Sequence, residues 1–237
     1  MSEHIVSSYD LELQSLRSSI SEMGGIAEKM LDDAISALVR RDVTLANAVI
    51  SADGRLDVLQ REVEETAILM IARRQPLAVD LRETVSAIRI SGDVERMGDL
   101  AKNIGKRVLA IGEGFQLQKV VAGIQTISEL VGEQLKDVLD AYAQRDLPKA
   151  LDVWQRDGQI DALYTSLFRE LLTYMMEDPR NISFCTHLLF CAKNLERIGD
   201  HTTNVAETIH YLVTGENLTA DRPKNDRSTL ATVEAAV

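Results

Sequence analysis

One eleven-residue run occurs twice in this chain. Asp93 to Asn103 reads DVERMGDLAKN, and Asn194 to Asn204 reads NLERIGDHTTN. Glu95 matches Glu196, Arg96 matches Arg197, Gly98 matches Gly199, Asp99 matches Asp200 and Asn103 matches Asn204, each pair 101 positions apart (196 minus 95). Within each copy Glu, Asp and Asn follow one another at intervals of four, which on an α-helix sets them in one row on one face. Self-similarity at a fixed offset of this size points to two copies of one folding unit.

The repeat extends beyond that run. Asp53-Gly54-Arg55-Leu56-Asp57 matches Asp157-Gly158-Gln159-Ile160-Asp161, and the apolar stripe Leu56, Leu59, Val63, Ala67, Met70 matches Ile160, Leu163, Leu167, Leu171, Tyr174. Arg41-Asp42-Val43 matches Arg145-Asp146-Leu147; Asp42 is placed to cap the helix that follows, and Pro148 falls in a first turn, where Pro is tolerated. Apolar periodicity predicts six helices: roughly Leu11–Arg40, from the Arg41-Asp42 joint to Arg73, Leu77–Ile111, Gln118–Ala143, from the Arg145-Asp146 joint to Glu177, and Ile182–Val213. Pro76 and Pro179 punctuate equivalent positions, and Gly112-Glu113-Gly114-Phe115 is the natural linker between the halves. The expected fold is all-α, two tandem three-helix bundles over 5–112 and 117–213. The polar, aperiodic tail 215–237 is expected to be mostly disordered.

Composition agrees. Aromatic residues are only 4% of the 237 residues, which suits long helices packed with Leu, Ile, Val and Ala and does not suit a β-sandwich. The net charge of −11 argues against binding to a nucleic-acid backbone. The opening MSEHIVSSYD lacks the pattern of a secretion signal. No apolar run is long enough to span a membrane. Cys185 and Cys191, six apart, fall on different parts of a helix and read as two buried thiols of a reducing, cytoplasmic protein.

The acids carry the chemistry. The second and third predicted helices join through Pro76 by a short turn and so run antiparallel. Asp57 and Glu95 are equidistant from Pro76, as are Asp53 and Asp99, and a constant rise per residue then puts them at equal heights. In the second unit Asp161 and Glu196, and Asp157 and Asp200, match about Pro179 to within one residue. Each unit is therefore expected to bring four carboxylates to one level. The apolar stripes of the third and sixth helices lie opposite the acids, which predicts that the acids face outward or into a groove. Leu81, Val85 and Ile88 share the side of Glu95 and Asp99, however, and would cover the third helix on both sides.

Like charges repel when clustered, and a cation relieves the repulsion. The candidate metal ligands are Asp53, Asp57, Glu95, Asp99, Asp157, Asp161, Glu196 and Asp200, with Asn103 and Asn204 as weaker members. An all-oxygen set favours Mg²⁺, Mn²⁺, Ca²⁺ or Fe³⁺ over a closed Cys/His zinc site, with Zn²⁺ kept among the candidates. With 37 acids in the chain, chance supplies roughly six i, i+4 acidic pairs, so the level-matched doubling carries the argument rather than any one pair. Glu207 and His210 have the Glu-x-x-His spacing of di-iron bundles but lack the second copy such sites need. Trp154 and Tyr164 read as core or groove-lining residues. Neither a Gly-rich phosphate loop nor a nucleophile–base arrangement is present.

The doubled E-R-φ-G-D-x-x-x-N run (φ apolar), with its companion acids Asp53/Asp57 and Asp157/Asp161, resembles the PhoU family of phosphate-signalling regulators over about residues 5–213. The resemblance implies a PhoU-like six-helix repeat and a cytoplasmic, non-enzymatic adaptor. Such an adaptor links a phosphate ABC transporter, through its ATPase subunit, to a sensor histidine kinase and keeps the phosphate-starvation response off. It also implies modulation of phosphate uptake, homodimerisation, metal clusters at the acids, and membrane association only through partners. Two other readings stand beside it: a di-metal carboxylate protein for metal storage or oxidation, and a metal-free interaction scaffold.

Overall fold

The computed structural model describes residues 2–111 and 118–223. They form six α-helices: α1 Ser2–Arg40, α2 Val43–Arg74, α3 Val79–Ile111, α4 Gln118–Gln144, α5 Leu147–Glu177 and α6 Ile182–Thr214, with a short 3-10 turn Pro179–Asn181 leading into α6. The expected linker Gly112–Phe115 and the tail from residue 224 onward lie outside the described residues.

The two Arg-Asp joints are built alike. Arg41 and Arg145 both take left-handed backbone, each at φ 56°. The next residue's N–H then reaches back to the preceding helix, Asp42 to Ala37 at 3.0 Å and Asp146 to Ala141 at 2.9 Å. The same aspartates accept from the new helix, Asp42 from Leu45 N at 2.9 Å and Asp146 from Lys149 N at 3.0 Å. One dipeptide thus closes one helix and caps the next, which removes orphan carbonyls and orphan amides together. The α2–α3 turn uses left-handed Gln75 and Ala78 on either side of Pro76-Leu77. The α5–α6 turn instead uses Asp178, whose carboxylate accepts from Arg180 N.

The predicted stripes are the core. Leu16, Ile20, Met23, Ala27, Met30 and Ala34 of α1 are buried, as are Leu56, Leu59 and Val63 of α2 and Val94, Met97, Ala101 and Ile104 of α3. Ile160, Leu167 and Leu171 of α5 and Leu188, Cys191, Leu195 and Ile198 of α6 are their counterparts. Burial holds the Cys185 thiol above its ordinary pKa and pushes Cys191 up to about 12, so both behave as inert apolar groups.

Each unit is a three-helix bundle, and the two pack through α3 against α6 and α1 against α4. Along the α3–α6 seam Arg89 lies over Tyr211 and Arg107 over Phe190, so these helices run antiparallel. His201 Nδ1 meets Asp93 Oδ1 at 2.8 Å in the middle of the seam. At one end the buried Glu83 of α3 pairs with Arg17 of α1 and Arg145 of the α4–α5 joint, which ties the two units together.

Candidate functional site

In the first unit, α2 supplies Asp53 and Asp57 and α3 supplies Glu95 and Asp99. Gly98 sets how close the two helices come, because a methyl there would run into Leu56 Cδ1 of α2. The Lys102 ammonium sits 2.5 Å from Asp53 Oδ2 and 2.5 Å from Asp99 Oδ1. Both carboxylates therefore converge on a single nitrogen. Burial would lower the Lys102 pKa, but its hydrogen bonds to Asp53 and Asp99 hold it well above the ordinary lysine range. Glu95 is pushed above the usual glutamate range first by burial and then by Asp99, Asp57 and Asp53, with Arg96 partly offsetting them. Those charges place all four expected acids of this unit within electrostatic reach of one another.

The second unit repeats the plan with a different cation. Gly199 brings α6 close to α5, where a methyl would stand 2.8 Å from Ile160 Cδ1. Arg222, nine residues past the end of its expected bundle, folds back onto the cluster. Its Nε and Nη2 donate to Asp157 Oδ2 and Oδ1, each at 2.8 Å, and Nη2 also donates to Asp200 Oδ1 at 2.6 Å. Thr203 Oγ1 donates to Asp157 Oδ1 at 3.0 Å. Glu196 accepts from Lys193 through Oε1 at 2.8 Å, while its buried Oε2 has no hydrogen-bond partner. Burial raises the Glu196 pKa; Lys193 works against the shift, and Asp200 and Asp161 add to it.

The outward-facing placement of the acids is corrected by the structure. Asp53, Asp157, Asp161 and Glu196 are buried, and Asp57, Glu95, Asp99 and Asp200 are half-buried. The reason lies in the neighbouring helix of each unit: α2 comes against α3 at Gly98 and α5 against α6 at Gly199, so the acids of each pair face one another and their shared cation. Of the apolar residues on that side of α3, Val85 and Ile88 are half-buried and Leu81 is exposed. Asn103 is half-buried. Asn204 turns to the unit seam and donates to Asp93 Oδ1 at 3.3 Å. Glu207 and His210 do not face a common ion: Glu207 accepts from Trp154 Nε1 at 3.1 Å, and His210 Nδ1 lies 2.9 Å from the Glu216 carbonyl oxygen. Trp154 and Tyr164 are buried as expected.

The donor chemistry fits a hard cation, since only oxygens converge and one buried carboxylate oxygen, Glu196 Oε2, is left unsatisfied. The side-chain geometry is set for the cations already present. Among the described residues no three acidic, His or Cys side chains stand together at metal-coordinating positions, because Lys102 and Arg222 hold the carboxylates around an ammonium and a guanidinium. Sequence reasoning overlooked both cations. Lys102 was legible as an i+3 neighbour of Asp99, whereas nothing local marks Arg222.

The PhoU domain model matches residues 20–108 and again 124–209, once per three-helix unit. The chain belongs to the PhoU domain family. A Rhizobium meliloti protein named phosphate-specific transport system accessory protein PhoU homolog is 56% identical over 231 residues, 97% of this chain and 98% of the relative. The crystal structure of PhoU from Pseudomonas aeruginosa superposes with a TM-score of 0.85 at 38% identity, covering 88% of this chain and 100% of the other. The phosphate transport system regulatory protein PhoU from Streptococcus pneumoniae gives a TM-score of 0.83 at 31% identity, covering 90% and 100%. One acidic cluster falls within each matched span. No helix among the described residues is long and apolar enough to cross a membrane.

Proposed function

We propose that this protein is a regulator of phosphate transport and of the phosphate-starvation response. It acts without catalysis, as a cytoplasmic adaptor between the ATPase subunit of a phosphate ABC transporter and a sensor histidine kinase, and it works as a homodimer. The observation that carries this reading is near-full-length identity to relatives named for the phosphate-specific transport system, with both copies of the motif intact. The chemistry of the site agrees with an adaptor, because the converging groups are carboxylates and their cations, with no nucleophile placed beside a base. The test is deletion in the native host with a phosphate-starvation reporter read at high phosphate. The adaptor reading requires the reporter to come on and to be silenced by the reintroduced gene; a reporter that stays off in the deletion strain refutes it.

Within that function the acidic clusters are metal sites. Asp53, Asp57, Glu95 and Asp99 would hold one centre and Asp157, Asp161, Glu196 and Asp200 the other, with Mg²⁺, Mn²⁺, Fe³⁺ or Zn²⁺ as the ion. The bound ion would neutralise charge that Lys102 and Arg222 neutralise here, and so set the spacing of α2 from α3 and of α5 from α6. The unsatisfied Glu196 Oε2 supports this reading. Metal analysis of the purified protein beside a Glu95→Ala/Asp99→Ala/Glu196→Ala/Asp200→Ala variant checks it, and equal metal content in the two would refute it.

A further inference from the structure

The two acidic clusters have the same ligands and differently delivered cations. Lys102 of the first copy falls at the repeat position occupied by Thr203 in the second. Lys102 is part of α3 and bridges Asp53 and Asp99 from within the helix. Thr203 is neutral and too short to span the equivalent pair; it reaches only Asp157. The charge that the second copy lacks arrives from outside the bundle, on Arg222.

The segment carrying it is built to reach that place. Gly215 ends α6 in left-handed backbone at φ 82° and sends the chain back. Leu218 packs against the hydrophobic core. Arg222 then closes on Asp157 and Asp200 through three hydrogen bonds. Seven residues from Gly215 reach about 25 Å when extended, and Asp200 lies about 23 Å back along α6, so the segment together with the Arg222 side chain spans the distance. Beneath it, Glu196 keeps its unpartnered, buried Oε2 beside the charges of Asp200 and Asp161. The guanidinium therefore fills a site that still has oxygen ligands to offer.

We propose that residues 215–223 form a detachable strap whose Arg222 is a tethered stand-in cation, and that a divalent metal ion enters the second cluster only by displacing it. The inference rests on the metal reading of the clusters given above and makes the two halves unequal. The first cluster's internal cation is carried within α3, while the second's is carried on a segment outside the bundle and is exchanged for an external one together with that segment. Metal loading of the second half and release of residues 215–223 are then one event. A tether of this length keeps Arg222 at an effective concentration in the millimolar range, so an entering ion competes with a permanently present rival.

The experiment titrates the full-length protein with Mn²⁺, reading free ion by electron paramagnetic resonance. Hydrogen exchange at the backbone amides of residues 216–222 is followed in parallel. Wild type, Arg222→Gln and Arg222→Gln/Asp200→Asn are compared; Arg222 lies outside every helix, and far-ultraviolet circular dichroism checks that each variant keeps its helices. We expect R222Q to bind one Mn²⁺ about tenfold more tightly than wild type, as removal of a mostly closed competing state requires. That gain is absent from R222Q/D200N, and Mn²⁺ speeds exchange at 216–222 in wild type over the same concentration range. Equal Mn²⁺ affinity in wild type and R222Q, with the strap equally protected throughout, overturns the inference and leaves the metal reading standing. No binding by either protein at millimolar Mn²⁺ removes the metal reading itself, and the strap exchange falls with it.

Discussion

Replacing Gly98 by Ala tests whether the motif glycine exists to bring two helices close. In an exposed helix interior the same change is favourable, because alanine restricts the unfolded chain and helix propensity improves by about 1 kcal/mol. Gly54 of α2 is such a position, exposed and with nothing within 4 Å of an added methyl. At Gly98 the methyl would overlap Leu56 Cδ1, and Leu56 is fully buried. Leu56 must leave its rotamer or α3 must retreat from α2, at a cost of about 1–3 kcal/mol in a packed core. The propensity gain offsets part of that cost, so G98A should be unfolded more easily than wild type by about 0–2 kcal/mol, whereas G54A should gain about 1 kcal/mol. Urea unfolding followed by far-ultraviolet circular dichroism measures both. Fluorescence of the sole tryptophan, Trp154 in the second unit, shows whether the halves unfold together. If G98A proves as stabilising as G54A, helix approach does not need the glycine, and the account of how the carboxylates are brought together is wrong.

Lys102→Met leaves Asp53 and Asp99 facing each other without their shared ammonium and should cost about 1–3 kcal/mol at low salt; added Mn²⁺ should restore part of it, and an unchanged urea midpoint would discount the bridge. Glu196→Gln should stabilise the protein at pH 7. The folded-state pKa of Glu196 lies above its ordinary 4.5, so its charged form is the penalised one. That penalty is complete above the folded pKa and fades as the pH falls toward 4.5. The gain of E196Q must therefore close over the same window, and a gain that persists at pH 4 would assign it to another cause. Glu83→Gln removes the charge that Arg17 and Arg145 share between the units and turns one of its two acceptor oxygens into an NH2 donor, but both arginines are partly exposed and rehydrate. The expected loss is only about 1 kcal/mol, checked by thermal unfolding, and a loss above about 3 kcal/mol would mean the triad does more than join the halves.

Much of this molecule was legible before any coordinates. Helix ends were marked by Asp42, Asp146, Pro76 and Pro179, because caps and breakers act over one or two turns. The heights of the acids followed from a constant rise per residue on either side of a tight turn, and Asp53 with Asp99, and Asp157 with Asp200, do converge. Periodicity in α3 and α6 identified the core stripe but misjudged the opposite face. A helix reports its own apolar residues and says little about a second partner laid over its polar side. The neighbouring helix of the same unit supplies that partner, α2 for α3 and α5 for α6, with the facing acids joined through Lys102 and Arg222.

The chain's own order of residues determined two copies of one helical unit, the rows of acids on them and the glycines that let the rows approach. These depend on backbone hydrogen bonding and side-chain period, which are local. Only the tertiary structure decided that four of the acids are buried and four half-buried rather than exposed, and that Arg222 completes one cluster as Lys102 completes the other. Burial removes water from a carboxylate, and a carboxylate without water takes the nearest cation whatever its distance along the chain. That pairing is fixed by proximity in space, which no window of sequence contains.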